Sequence, residues 1–433
     1  MRNGVSRKEA DLRRINIGKK TTLNVCNWRV FGAIAAVGYA TQSVAALGDA
    51  VTEDEDYTRP YVGGLETYDS NLYRLPTYIT DVATLISPNA RRDDYISSVF
   101  AGIDGQWFLA QQQVGLNLSV SDNRFAYNKQ LDNYSEKADL LWKWHLGSQF
   151  SGDAGGDFAR SLASYAETLY LGRDVLNLSD YFADARYQIG PRWAVYGGIR
   201  EAETTQSAVE EKFNDSRAST GKVGVELTTA VDNTVGFEYA YAYGHFPNGA
   251  FYFQGEPFDR DFNQSTANFL LKYALSDKTV INASAGYQKR DYIHEPIGGF
   301  SGAIWGVSLQ WQPTDKTQIV FSGSRQLQVF LSSQSDYYVS TGGSISPVWA
   351  ASEKLIFKLT VSSFDDKFIS STLTVLTFGS RHDTVTTGLA TINYFPMHNL
   401  VVNFSYTYLD RESNVALYKF DDKLASASVK FTF

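Results

Sequence analysis

The last ten residues, Leu424 to Phe433, alternate without a break. Phe433, Phe431, Val429, Ala427 and Ala425 fall on one side, and Thr432, Lys430, Ser428 and Ser426 on the other. A period of two puts successive side chains on opposite faces of an extended chain, so this stretch reads as a strand with one apolar and one polar face. The pattern recurs. Val235, Phe237, Tyr239, Tyr241 and Tyr243 alternate with Gly236, Glu238, Ala240 and Ala242. Ala138, Leu140, Trp142, Trp144 and Leu146 alternate with Asp139, Lys143 and His145. Similar runs span 267–275, 302–311 and 400–408. Past residue 48 there is no run of 18 apolar residues, so the sequence argues against helical membrane spans.

The breaks between these runs are asymmetric. Short turns fall near Ala110, Gly147, Gly190, Asp232, Asp277, Thr314, Ser352 and Met397, and longer polar connections lie between them. Short turns at one end and long loops at the other are the layout of a transmembrane antiparallel β-barrel. Eight short turns with both chain ends on their side imply nine hairpins and 18 strands. Two weakly patterned segments leave 16 as a fallback: the Gly-rich Phe150 to Phe158, and Thr317 to Phe330, where Arg325 interrupts the lipid face. Each strand is expected to span ~9–11 residues across the membrane. The long loops are expected at Asp69–Asp94, Tyr165–Val175, Glu203–Asp215, Phe246–Asp261, Asp291–Gly299 and Ser363–Arg381. Tryptophan sits beside turns at Trp142/Trp144, Trp193 and Trp311, as the aromatic girdles of a barrel require.

The N-terminal stretch reads as an export signal covering residues 1–46. Arg2, Arg7, Lys8, Arg13, Arg14, Lys19, Lys20 and Arg29 precede an apolar core, Val30 to Tyr39, and Ser43-Val44-Ala45 offers a small-x-small cleavage site. A membrane anchor is the alternative, but the core is short for a span. The barrel then occupies residues 47–433, with 47–59 as a short periplasmic lead-in. The single cysteine, Cys26, lies within the signal, which removes disulfides and thiolate chemistry from the rest. Residues 1–45 carry eight basic and two acidic side chains, so the remainder is net −14, a poor match for a nucleic-acid partner.

The aromatic carboxy-terminal Phe433, with Phe431, resembles the closing strand of bacterial outer-membrane barrels, where the terminal Phe is read by the barrel-assembly machinery. A second resemblance lies in Tyr68-Asp69-Ser70-Asn71-Leu72-Tyr73-Arg74-Leu75-Pro76. The Asn71, Leu72, Tyr73, Arg74, Leu75, Pro76 run is similar to the signature of an EpsL-like, exopolysaccharide-associated barrel family, also described as β-barrel porin 2. Trp142-Lys143-Trp144 and Gly190-Pro191-Arg192-Trp193 agree with it, as does Arg411-Glu412-Ser413-Asn414. The resemblance implies a Gram-negative outer-membrane protein that helps export exopolysaccharide as a channel or scaffold. Its implied partners are outer-membrane lipid, the assembly machinery, the glycan and other export proteins. A general or anion-biased small-solute porin is the alternative, and a barrel enzyme acting on glycan or lipid is the third reading.

If the aromatic face meets lipid, Lys143, Arg186, Arg200, Lys222, Lys272, Arg290, Lys358 and Lys430 face the lumen, together with Asp104, Asp139, Asp184, Glu226 and Glu238. That set supports either an anion-biased pore or charges that satisfy one another across strands. The loop residues Phe251, Tyr252 and Phe253 are candidates to stack on sugar faces, or to pack on their own loop. The acidic runs Glu53–Asp56, Asp259–Asp261 and Asp365-Asp366 lack the oxygen spacing of a calcium loop. His145 near Ser148 is the nearest approach to a nucleophile–base pair, at the periplasmic end, and no G-x-S-x-G, H-E-x-x-H or phosphate-loop motif occurs. The expectation is a non-enzyme with neither cofactor nor metal.

Overall fold

The computed structural model describes residues 56–433 apart from 167, 232, 250, 254–255, 294–298, 333–334 and 370–379, and the side chains of 251–258 and 329–336 also lie outside the described set. The expected signal, most of the lead-in, and the side chains of Phe251, Tyr252 and Phe253 therefore lie outside the described residues.

The first nine strands are β1 (Tyr57–Asp69), β2 (Asp94–Leu109), β3 (Gln112–Phe125), β4 (Asn133–Leu146), β5 (Phe150–Leu162), β6 (Val175–Ile189), β7 (Trp193–Gln206), β8 (Ser216–Thr228) and β9 (Thr234–His245). A two-strand hairpin, β10 (Phe251–Phe253) with β11 (Glu256–Phe258), stands apart from them. The rest are β12 (Phe262–Ser276), β13 (Thr279–Tyr292), β14 (Phe300–Thr314), β15 (Thr317–Ser332), β16 (Ser335–Ser352), β17 (Leu355–Ile369), β18 (His382–Met397), β19 (Leu400–Ser413) and β20 (Phe420–Thr432). All but the small hairpin join one 18-stranded antiparallel sheet. It closes where β20 pairs with β1, with Leu65 opposite Ser428 and Val62 opposite Phe431. Closure removes the unpaired edge that an open sheet would present to lipid.

All eight anticipated short turns connect barrel strands. Gly147 and Gly190 take positive φ at two of them, and Ala110 does so at a third. The Gly-rich segment forms β5, and Arg325 lies in β15, so the 16-strand fallback is set aside. Strands run from 12 to 18 residues, longer than a membrane crossing needs, because their outer ends continue past the apolar belt. For the same reason several loops begin later than the sequence indicates: β7 runs to Gln206, β13 to Tyr292 and β17 to Ile369.

The outward face explains the apolar alternation. Val99 is 71% exposed, Ile199 69% and Val223 61%. On β4 the belt runs from Leu146 through Trp144, Trp142 and Leu140 to Ala138, and Glu136 follows it. Eight rises at ~3.3 Å, tilted by ~40°, give roughly 20 Å, near the ~25 Å apolar band of outer-membrane barrels. The next outward positions on neighbouring strands are Asp122, Glu201, Asp365 and Asp410, a charged collar above the belt. Arg325 stands level with this collar, opposite Trp305, and donates to the Ala303 carbonyl at 3.2 Å and to Thr341 at 3.2 Å. It closes the outer rim where β14 and β15 stop pairing.

Candidate functional site: the lumen and its looped mouth

The inward face is polar along most of its height, and it is divided. The register sets Lys143, Arg186, Arg200, Lys222, Lys272, Arg290, Lys358 and Lys430 on inward positions, and with them Asp104, Asp139, Asp184, Glu226 and Glu238. Charge concentrates on β4 to β9. Arg186 grips Glu226 with two bonds of 2.7 and 3.0 Å. Arg200 pairs with Asp180, Lys222 with Asp184 at 3.0 Å, and Lys137 with Asp139 at 2.6 Å. Lys143 faces Asp153 across the β4–β5 ladder.

Asp153, Asp157 and Asp180 are absent from the set drawn from alternation, because β5 and the outer part of β6 lack the aromatic rows that betray a register. In the structure Asp139, Asp157 and Asp180 stand directly opposite one another on β4, β5 and β6. Cations in this half are thus matched by carboxylates, which offsets the positive field on which an anion bias rests. No cluster of three or more His, Cys, Asp or Glu suited to a metal ion is present among the described residues.

Rings in the lumen lie flat against the wall. A side-chain carbon on Gly224 would sit 2.3 Å from the Tyr196 ring, so glycine is what lets that ring lie across its neighbour strand. From there Tyr196 donates to Glu238 at 3.1 Å. Lys430 likewise lies over the Tyr61 ring, 4.1 Å from its centre.

The half formed by β14 to β19 differs. At mid-height its inward residues are mainly small and uncharged. Ser322 and Ser344 share a 2.7 Å hydrogen bond and Ser346 and Thr360 one of 3.0 Å, and nearer the short turns Asn403 donates to Asn393 at 2.8 Å. Of the inward cations of this half, Lys358 lies near the short turns, just as Lys272 lies low on β12, and Arg411 lies at the outer rim.

Loops cross the outer mouth. The 70–93 segment packs Leu72, Tyr73, Leu75 and Val82 onto inward Ile96 and Phe125 and onto buried Leu162 at the end of β5. Tyr165 joins that cluster, its ring 4.9 Å from Tyr73. The adjacent Ala166 reaches Leu409 and Phe420 on the far strands, where Arg411 donates to its carbonyl. Phe246, Phe262, Tyr292 and Tyr337 form a third cluster.

The family-like motif is the centre of the first loop. Arg74 adopts φ 55°, a left-handed conformation costly for a non-glycine residue. Its guanidinium contacts Asp69 at 3.0 Å and Asp422 at 3.0 Å, all three essentially buried. The Asn71 side chain binds both the Leu75 amide and the Leu75 carbonyl, and Asn71 N–H donates to Asp422. Tyr73, its hydroxyl pKa pushed up by burial, donates to Asn128 at 2.9 Å. Asn71 to Leu75 thus makes these contacts within the fold.

A recurring aspartate holds these loops, and it escapes sequence reading. Asp94 accepts from the Tyr127 and Asn128 amides, Asp174 from Ser207 and Ala208, Asp261 from Phe246, and Asp422 from Asn71. Each lies at or near the outer end of a strand. The available signal was an Asp at the start of successive alternating runs, a position usually ascribed to turns.

A closed antiparallel barrel with an apolar outer belt, a polar inner wall and short turns at one end defines a porin-like outer-membrane β-barrel. A family model described as "Putative beta-barrel porin 2" matches residues 253–433. No curated protein sequence matches the chain. Among solved structures it is similar to a BenF-like porin from Pseudomonas fluorescens Pf-5, at 9% identity and TM-score 0.47, covering 88% of this chain and 99% of that one. It is also similar to OccK2 (OpdF) of Pseudomonas aeruginosa in complex with glucuronate, at 8% identity and TM-score 0.46, covering 87% and 98%. The siderophore receptor PirA from Acinetobacter baumannii shows 10% identity and TM-score 0.42, covering 88% and 81%. These likenesses are of fold alone.

Proposed function

We propose that this protein is a passive channel for small hydrophilic solutes in the outer membrane of a Gram-negative bacterium. The observation that carries this reading is an 18-strand closed wall whose inner face is polar while its outer face is apolar. Such a strand number encloses more space than side chains alone fill. The description of the matching family model, a porin, agrees. Paired charges on β4 to β9 favour general over anion-biased permeation, and the loops at the outer mouth narrow the entrance. The test is conductance of the purified protein in planar bilayers. Stepwise, ohmic insertion events are expected; silent bilayers from correctly folded, heat-modifiable protein would refute the proposal. Retention of surface polysaccharide in a deletion strain, with slower small-solute uptake, would separate it from an export role.

A further inference from the structure

The two halves of the lumen differ in more than composition. On β4 to β9 the wall carries Arg186–Glu226, Arg200–Asp180 and Lys222–Asp184 pairs. On β14 to β19 the mid-height wall is mainly hydroxyl, interrupted by Val320 and Leu389, and its serine and threonine groups bond to one another across strands. We propose, resting on the porin reading above, that the lumen has two lanes. Ions follow the charged half, and uncharged hydrogen-bonding solutes such as sugars and polyols follow the hydroxyl half.

Three physical arguments carry this. The first is distance. Eighteen strands ~4.8 Å apart, tilted by ~40°, give a circumference of roughly 110 Å and a backbone diameter of roughly 35 Å. The opposite walls therefore stand farther apart than the ~8 Å over which salt screens a charge. The fields of the ion pairs fade before they reach Ser344.

The second is hydration. Ion pairs in a wet lumen hold ordered water, and an uncharged solute that displaces it loses those bonds without replacing the charge interaction. A hydroxyl wall has no such penalty. Each serine keeps acceptor capacity beyond its cross-strand bond and exchanges it readily with a solute hydroxyl.

The third is space. Ser322, Ser344 and Ser362 are short, and the Phe364 ring of this half lies back across Gly342 against the wall. The charged half carries long side chains and the Tyr196 ring. The freer cross-section is displaced toward the hydroxyl half.

The experiment uses the full barrel in proteoliposomes and bilayers, with potassium chloride and glucose as probes. Asp180→Asn with Glu226→Gln leaves Arg200 and Arg186 without their carboxylates. The reversal potential in a salt gradient should move toward chloride, while glucose-driven swelling stays within roughly 1.5-fold of wild type. Ser344→Phe with Ser362→Phe raises an apolar ridge on neighbouring strands. Glucose swelling should fall at least about threefold with the reversal potential unmoved. Where the phenylalanine pair fails to assemble, Ser344→Leu with Ser362→Leu makes the same test.

If each pair of substitutions shifts both readouts together, or the ridge leaves glucose swelling at the wild-type rate, the two lanes are overturned. A wild-type protein that conducts nothing overturns the porin reading itself, which is a different outcome.

Discussion

Replacing Arg74 by Met should release the first loop from the mouth while leaving the barrel intact. The side chain keeps its length and the backbone its left-handed turn, so the change isolates the charge. In the wild type one guanidinium lies against two carboxylates, Asp69 and Asp422, with side-chain exposures of 4%, 0% and 0%. Removing one partner of a buried ion pair costs about 3–5 kcal/mol, because the partner charge is left in a poor solvent. Here two like charges are left facing each other, so the upper part of that range applies unless one takes up a proton. The cost falls on the loop and not on the sheet. The interstrand ladder does not depend on Arg74, whereas Leu72 N–H to Arg92 and Arg74 N–H to Asn71, both 2.8 Å, exist only in the closed loop. At about 1.4 kcal/mol per tenfold, loop opening should rise roughly a hundredfold to several thousandfold. Hydrogen exchange in detergent measures this directly: the Leu72 and Leu75 amides should lose protection by that factor, with strand amides such as Val120 unchanged. Adding Asp422→Asn should restore part of the protection by removing one stranded charge. Protection at Leu72 within about threefold of wild type would refute the claim that the ion cluster holds the loop.

Three further outcomes follow from the same geometry. Glu211, in the loop between β7 and β8, has its pKa raised by burial and by Asp174 and Glu210, against hydrogen bonds from Thr168 and Asn214 that favour ionisation. A carboxylate raised above its unfolded value destabilises the closed loop while ionised, and that penalty vanishes as pH falls through the raised pKa. The closed loop should therefore be harder to open on mild acidification, although the 2.7 Å bond that Thr168 donates to the carboxylate weakens as Glu211 takes up its proton, and Glu211→Gln at neutral pH should act the same way; proteolysis of the 163–174 segment across pH checks this. Gly224→Val should displace the Tyr196 ring into the lumen, lowering single-channel conductance on the order of a tenth and destabilising the barrel by about 1–3 kcal/mol in urea titration. A double-mutant cycle on Arg186→Gln and Glu226→Gln should give a coupling no larger than about 1 kcal/mol, since both groups border a wet lumen with side-chain exposures of 33% and 22%.

The barrel was legible because its signal is local and repeated. Every hairpin that alternates apolar with polar residues reports its own register, and eight turns report the strand number. The closing strand carried the register furthest. Val429 and Phe431 lie on the lipid side and Lys430 on the lumen side, as the alternation from Phe433 requires. The reading was weakest on β5, where Gly152, Ala154 and Gly156 occupy outward positions that elsewhere hold aromatics. With bulky residues on the outward face only at Phe150 and Phe158, the run between them leaves little trace in a hydropathy pattern, so Asp153 and Asp157 were not placed. Neighbouring rings fill that lipid face instead: Trp144 lies against Gly152 and Tyr181 against Gly156.

The mouth was illegible for a different reason. Its contacts join residues far apart in sequence, Arg74 to Asp422 and Arg411 to Ala166, and no periodicity connects such pairs. The aspartates that secure the loops are ambiguous as letters. An Asp at a loop–strand junction usually caps a turn toward water, but Asp94, Asp383 and Asp422 are fully buried and point inward. For these three, what distinguishes the two cases is the face on which the junction falls, whereas Asp261 holds Phe246 from an outward position beside Tyr243. Asp94 shares its parity with Ile96 and Ser98, and Asp422 shares its parity with Leu424 and Ser426, so each aims inward by the same register that aims the strand. Part of the excess acid expected in solvated loops is thus committed to holding those loops against the rim. Any chain of this layout with an inward-parity Asp at the outer end of its strands should have loops that fold over the lumen rather than away from it.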